Sequence, residues 1–183
     1  MTLTRDMPFR GSLTSREQVS VYEFSWPAIV FIPLIAVVIQ VFIFVPLRIR
    51  FLPILDLPFL VTIFFATARR NPISGCLTGC FIGLLQDLFA GYGHPLGMYG
   101  IALTVVGFLA SSLGVKIDVE NPGSRFLITF FFFGIEEGVY YGVAHGMLRQ
   151  PAQWSWSHLA VSALVNAVIG IFVFRFLDRF KQR

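Results

Sequence analysis

Long apolar runs separated by short polar connections dominate the chain. Six of them, at residues 27–47, 51–68, 73–90, 96–115, 126–147 and 157–177, approach or reach the roughly 20 apolar residues needed to span a bilayer core. None shows the alternation over about 10 residues that marks barrel strands. The connections are as brief as RRNPIS after the second run and KIDVENPGSR after the fourth. The pattern predicts an all-α integral membrane protein. It comprises a polar N-terminal tail at 1–24, a compact bundle of about six transmembrane helices within 25–178, and a basic C-terminus at 179–183. The second run is expected to lie partly along the surface, because it contains Pro53, Asp56 and Pro58.

Within the runs, small residues recur at helical spacing. Gly75, Gly79, Gly83, Asp87 and Gly91 share one ridge of the third run, and Gly134, Gly138, Gly142 and Gly146 share one ridge of the fifth. In lipid, no hydrophobic force drives helices together, and small residues let backbones approach until dispersion and weak polar contacts hold them. Both ridges are therefore expected to be helix contacts, either inside the bundle or with another protein. Ser162, Asn166 and Gly170 repeat the spacing on the sixth run, where Asn166 is positioned to hydrogen-bond across helices.

Composition strengthens the membrane reading: 56% of the 183 residues are hydrophobic and 13% charged, with a mean hydropathy of +0.75. Arg5, Arg10 and Arg16 precede the first run, which is longer than the roughly 7–15 residues of a signal-peptide core, so that run is expected to stay in the membrane. With the N-terminus cytoplasmic, the inner segments carry all the basic residues except Arg48, Arg50 and Arg149. The positive-inside rule then places both termini in the cytoplasm. The net charge of +4 is accounted for by topology and contact with anionic lipids, without a nucleic-acid partner. Trp26 at one face and Trp154 and Trp156 near the other sit where aromatic rings anchor at the interface. Cys76 and Cys80, one turn apart inside a span, read as packing residues.

The acids carry the candidate chemistry. Asp87, near the outer end of its span, is expected to accept hydrogen bonds from the glycine loop behind it or to contact a partner. Glu136 and Glu137 fall near the bilayer midplane, where an ionised pair is expensive. Glu137, Tyr141 and His145 form one helical stripe and Glu136 and Tyr140 its neighbour, a set that could line a polar pocket or satisfy itself. His94 and His158 near span ends read as interfacial, and no histidine spacing argues for a metal. The chain has no phosphate-binding glycine loop, HExxH or GxSxG, and no cofactor is expected. The acid pair followed by a histidine resembles intramembrane glutamate proteases. Tyr141 stands where their motif has arginine, so the chain is expected to be non-catalytic.

GCLTGCFIGLLQDLFAGYGHPLGMYGIALTVVGFLASSL, residues 75–113, resembles the rod shape-determining MreD family. The resemblance is carried by Gly79, Gly83, Asp87, Leu88, Gly91, Leu96 and Gly97, and the preceding LDLPFLVTIFFATARR is similar to the family's short second span. It implies a non-catalytic scaffold in the bacterial cytoplasmic membrane that supports cell shape and lateral peptidoglycan synthesis. The implied partners are MreC and, directly or through it, MreB, RodA and its transpeptidase. It also implies a fold like that of the membrane substrate-binding subunits of energy-coupling-factor transporters. The alternative is then a small-molecule-binding transporter subunit whose pocket is lined by Glu136, Glu137, Tyr141 and His145.

Overall fold

The computed structural model describes residues 24, 26–44, 54–89, 95–114, 117, 119, 121–149 and 154–180. Six helices account for most of them, and no strand occurs among the described residues. The helices are α1 (Trp26–Val38), α2 (Leu57–Arg69), α3 (Pro72–Phe89), α4 (Met98–Gly114), α5 (Pro122–Tyr141) and α6 (Trp156–Leu177). α1 widens into a π-helical stretch at Ile39–Phe44 and α5 into another at Gly142–Met147, while α6 tightens into a 3-10 turn at Asp178–Phe180.

This is a membrane protein. Pro72–Phe89, Pro122–Met147 and Trp156–Phe180 are long and apolar enough to cross a bilayer, whereas Pro27–Phe42, Leu57–Arg69 and Met98–Gly114 are shorter apolar helices. The six runs thus become six helices of unequal length.

Helix starts follow local chemistry. Asn71 and Asn121 each stand before a proline that fixes the first helical dihedral, and their side-chain oxygens accept backbone N–H groups of Ile73 and Gly123 at 3.0 and 2.9 Å. Arg70 ends α2 in the left-handed conformation, with φ 52°. Its N–H bonds to the Ala66 carbonyl oxygen.

The expectation that the second run lies along the surface is wrong. Every residue from Pro58 to Ala68 is buried, and α2 touches all five other helices. A helix apolar around its whole circumference belongs at the centre of a bundle, and Phe59, Leu60, Ile63 and Phe65 form the core there. Pro58 causes no break because it lies in the first turn, where its missing N–H has no intrahelical partner in any case.

α3 has the opposite polarity of size. Gly75, Gly79 and Gly83 face inward, while Ile73, Leu77, Phe81, Leu84 and Leu88 are exposed along the other side. Such an arrangement suits lipid, which solvates the large side chains and leaves close backbone packing to the small ones. At the end opposite Asp87, Arg125 ties α5 to α6. Its guanidinium lies 2.8 Å from an Asp178 carboxylate oxygen and over the Phe174 ring, and its Nε–H donates to the Val119 carbonyl.

Candidate functional site

The two glycine ridges have different fates. A Cβ on Gly75, Gly79 or Gly83 would collide with the α4 backbone at Gly107, Leu103 or Tyr99. This ridge is an internal seam, where α3 and α4 approach closely enough to exclude any side chain. On α5 the ridge makes no such contact inside the bundle: a Cβ on Gly134, Gly138, Gly142 or Gly146 meets nothing within 4 Å among the described residues. The physical reason is that α5 packs through larger buried residues, among them Phe132 and Phe133, the latter edge-on to Phe59 of α2, which leaves the glycine face open. Gly91 and His94 lie outside the described residues.

Asp87, 2% exposed, closes the seam. One carboxylate oxygen accepts the N–H groups of Gly97 and Gly100, each at 2.9 Å, and the other accepts that of Tyr99 at 3.2 Å. Those amides lie just before and within the first turn of α4, where no helical acceptor is available, so the acid caps α4 from the end of α3. Gly97 adopts φ 99°, a conformation that a side chain would strain.

A second polar assembly surrounds the start of α2. Asn166, fully buried on α6, donates to the Ile54 carbonyl at 2.7 Å and accepts the Asp56 N–H at 2.9 Å. Gln40 on the π-helical stretch donates to the Leu55 carbonyl at 2.7 Å and accepts the Leu57 N–H at 3.2 Å. Two amide side chains therefore satisfy four consecutive backbone positions that lack regular helical partners, as non-helical backbone requires when it is buried away from water. Asp56 caps α2 through the Phe59 N–H at 2.9 Å and receives Gln86 Nε2 at 3.2 Å.

Next to this assembly, Glu136 is 2% exposed, and neither carboxyl oxygen has a hydrogen-bond partner among the described residues. Asp56 and Glu137 lie within electrostatic range of it. On the neighbouring stripe, Glu137, Tyr140 and Tyr141 line a pocket of about 140 Å³ with Trp154, Ser155, His158 and Leu159 of the α6 start. The Tyr141 and Trp154 rings stand 5.1 Å apart at 69°, forming a corner. Trp154 Nε1–H is buried without a partner among the described residues.

The set Glu136, Glu137, Tyr141 and His145 is thus divided. Glu137 and Tyr141 face the pocket. Glu136 does not line it, because one residue step on a helix turns it about 100° toward the bundle interior. His145 is exposed and stacks on the outside of Tyr141 at 5.5 Å, in the π-helical stretch. Trp154, expected as an interfacial anchor, is a pocket wall, whereas Trp156 is 74% exposed. His158 faces the pocket and lies 3.5 Å from the Ser162 hydroxyl.

The sequence reading names neither Gln40 nor Gln86, nor the pocket residues Ser155 and Leu159, and it takes Trp154 and His158 as interfacial rather than as pocket lining. Each glutamine is a lone amide within an apolar run, and such isolation is itself a signal of a buried polar task. No protein-family model, curated protein or solved structure matches the chain.

Proposed function

We propose that this protein is a non-catalytic scaffold of the bacterial cell-elongation machinery, seated in the cytoplasmic membrane with both termini inside. In this role it supports cell shape and lateral peptidoglycan synthesis by binding MreC. Through that contact it communicates with MreB, RodA and its transpeptidase. The proposed fold is a six-span bundle of the kind found in the membrane substrate-binding subunits of energy-coupling-factor transporters.

One observation carries the reading. The residues that resemble the MreD family, 75–113, are largely occupied with architecture: three glycines seat α4, and the Asp87 carboxylate caps it. A stretch whose polar atoms are spent on holding a helical hairpin suits a protein that presents a surface rather than one that performs a reaction. The glycine face of α5, uncovered by the described residues, offers close helix packing to a partner span.

The test is affinity purification of the tagged protein from native membranes in mild detergent, with mass spectrometry of near-stoichiometric companions. MreC, with or without RodA and its transpeptidase, is the expected companion; ATPase and coupling subunits in its place would overturn the scaffold reading. The second reading, a small-molecule-binding transporter subunit, is favoured by the pocket at Glu137, Tyr141 and Trp154.

A further inference from the structure

The pocket between the end of α5 and the start of α6 combines features that the scaffold reading leaves unused. Its volume of about 140 Å³ is close to that of an engineered apolar cavity, about 150 Å³, that admits benzene. It therefore has room for one small organic group.

Its lining is selective. Tyr140, Tyr141 and Trp154 provide aromatic walls, and Glu137 provides a carboxylate. Among the described residues, no lysine or arginine lines it. Glu136 and Asp56 stand behind the wall within electrostatic range of Tyr99, and the Tyr99 ring packs on Tyr140 with centroids 4.8 Å apart. His158, within electrostatic range of Glu137, is the only basic side chain in the lining among the described residues.

A ligand entering this space meets the negative faces of aromatic rings and a carboxylate whose low-dielectric surroundings strengthen attraction to a cation. A strongly hydrated cation would lose water to rings that cannot replace it by hydrogen bonds. A quaternary ammonium has no N–H and so no such hydrogen bonds to lose, and its methyl groups pack against the rings at no polar cost. A ligand anion would face Glu137 directly.

We infer that the aromatic corner formed by Tyr141 and Trp154, with Glu137 beside it, binds a quaternary ammonium group of choline size. The inference stands apart from the scaffold reading, because a quaternary ammonium could occupy this pocket whether or not MreC is bound. A free choline-class solute and a choline lipid headgroup present the same chemistry here.

The test is calorimetric titration of the purified full chain in maltoside detergent with choline, tetramethylammonium and 3,3-dimethylbutan-1-ol, the uncharged isostere of choline. Choline is expected to bind at least about tenfold more tightly than the isostere, the preference that a cation–π cage confers. Glu137→Gln and Tyr141→Leu are each expected to weaken choline by about tenfold or more, while Tyr141→Phe retains binding. Equal binding of choline and its isostere, or no binding of choline or tetramethylammonium by the unaltered chain, overturns the inference without bearing on the co-purification result. Choline binding in phosphatidylglycerol nanodiscs that is lost on adding phosphatidylcholine identifies a headgroup site; binding that persists identifies a free solute. Both results support the ammonium assignment.

Discussion

Replacing one glycine by alanine on each ridge gives opposite expected results from the same chemical change. In Gly79→Ala the added methyl would sit 2.7 Å from the Leu103 carbonyl carbon, where ordinary contact begins at 3.4 Å. The obstruction is backbone, so no rotamer change relieves it, and α4 must retreat by about 0.7 Å or more. A gap of about 0.5–1 Å forfeits a quarter to a half of the dispersion attraction across the seam. Overpacking of this kind costs about 1–3 kcal/mol, and the rigidity of the obstacle places Gly79→Ala near the upper figure. In Gly138→Ala the methyl enters open space, so the substitution only reduces the backbone freedom of the unfolded chain and gains about 0.5–1 kcal/mol. At about 2–4 °C per kcal/mol for a chain of this size, the apparent Tm should fall by roughly 6–12 °C for Gly79→Ala and rise by roughly 1–4 °C for Gly138→Ala. Thermal unfolding of both variants in the same detergent, followed by the loss of the monodisperse elution peak, reads the difference. A Gly79→Ala protein melting within about 2 °C of the parent, or a Gly138→Ala protein falling as far as Gly79→Ala, would refute the assignment of one ridge to the interior and the other to an open face.

Two further substitutions examine the polar fastenings. Asp87→Ala removes the acceptor of three α4 amides and should cost about 3–5 kcal/mol, given about 1–3 kcal/mol per orphaned group and partial rescue by water, whereas Asp87→Asn should cost less than half as much. Hydrogen exchange at Gly97, Tyr99 and Gly100 should accelerate in the alanine variant, and unchanged protection there would remove Asp87 from its capping role. Asn166→Leu keeps the branched heavy-atom skeleton, with bulkier methyl ends, but strands the Ile54 carbonyl and the Asp56 N–H, at about 2–5 kcal/mol. A lowered Tm is expected, and a Tm equal to that of the parent would show that the start of α2 does not depend on α6.

The sequence reveals the helices and their seams unevenly, for physical reasons. The α3 glycines are legible because the large residues Ile73, Leu77, Phe81, Leu84 and Leu88 occupy the opposite face, so the small face has to be the packed one. The same four-residue spacing on α5 looks identical in one dimension. Its exposure depends on which face of α5 is buried, the one that carries Phe132 and Phe133, a tertiary choice that local spacing does not encode. The position of α2 was obscured by Pro53, Asp56 and Pro58, residues that ordinarily favour a surface. Their cost is offset by Gln40 and by Asn166, which is 110 residues away from Asp56 along the chain. The pocket was half legible: Glu137 and Tyr141 are one turn apart, but Trp154 and His158 come to them across a helix reversal.

The fastening of α2 by α6 also has a consequence in time. As the chain leaves the ribosome and the helices insert in order, the backbone groups of Ile54 and Asp56 emerge long before the side chain that satisfies them. At about 5–20 residues per second, the 110-residue separation between Asp56 and Asn166 is a wait on the order of 5–20 s. During that interval the nascent N-terminal half holds unsatisfied polar backbone in the membrane. A chain truncated before α6 would keep the Ile54 carbonyl and the Asp56 N–H without Asn166 permanently.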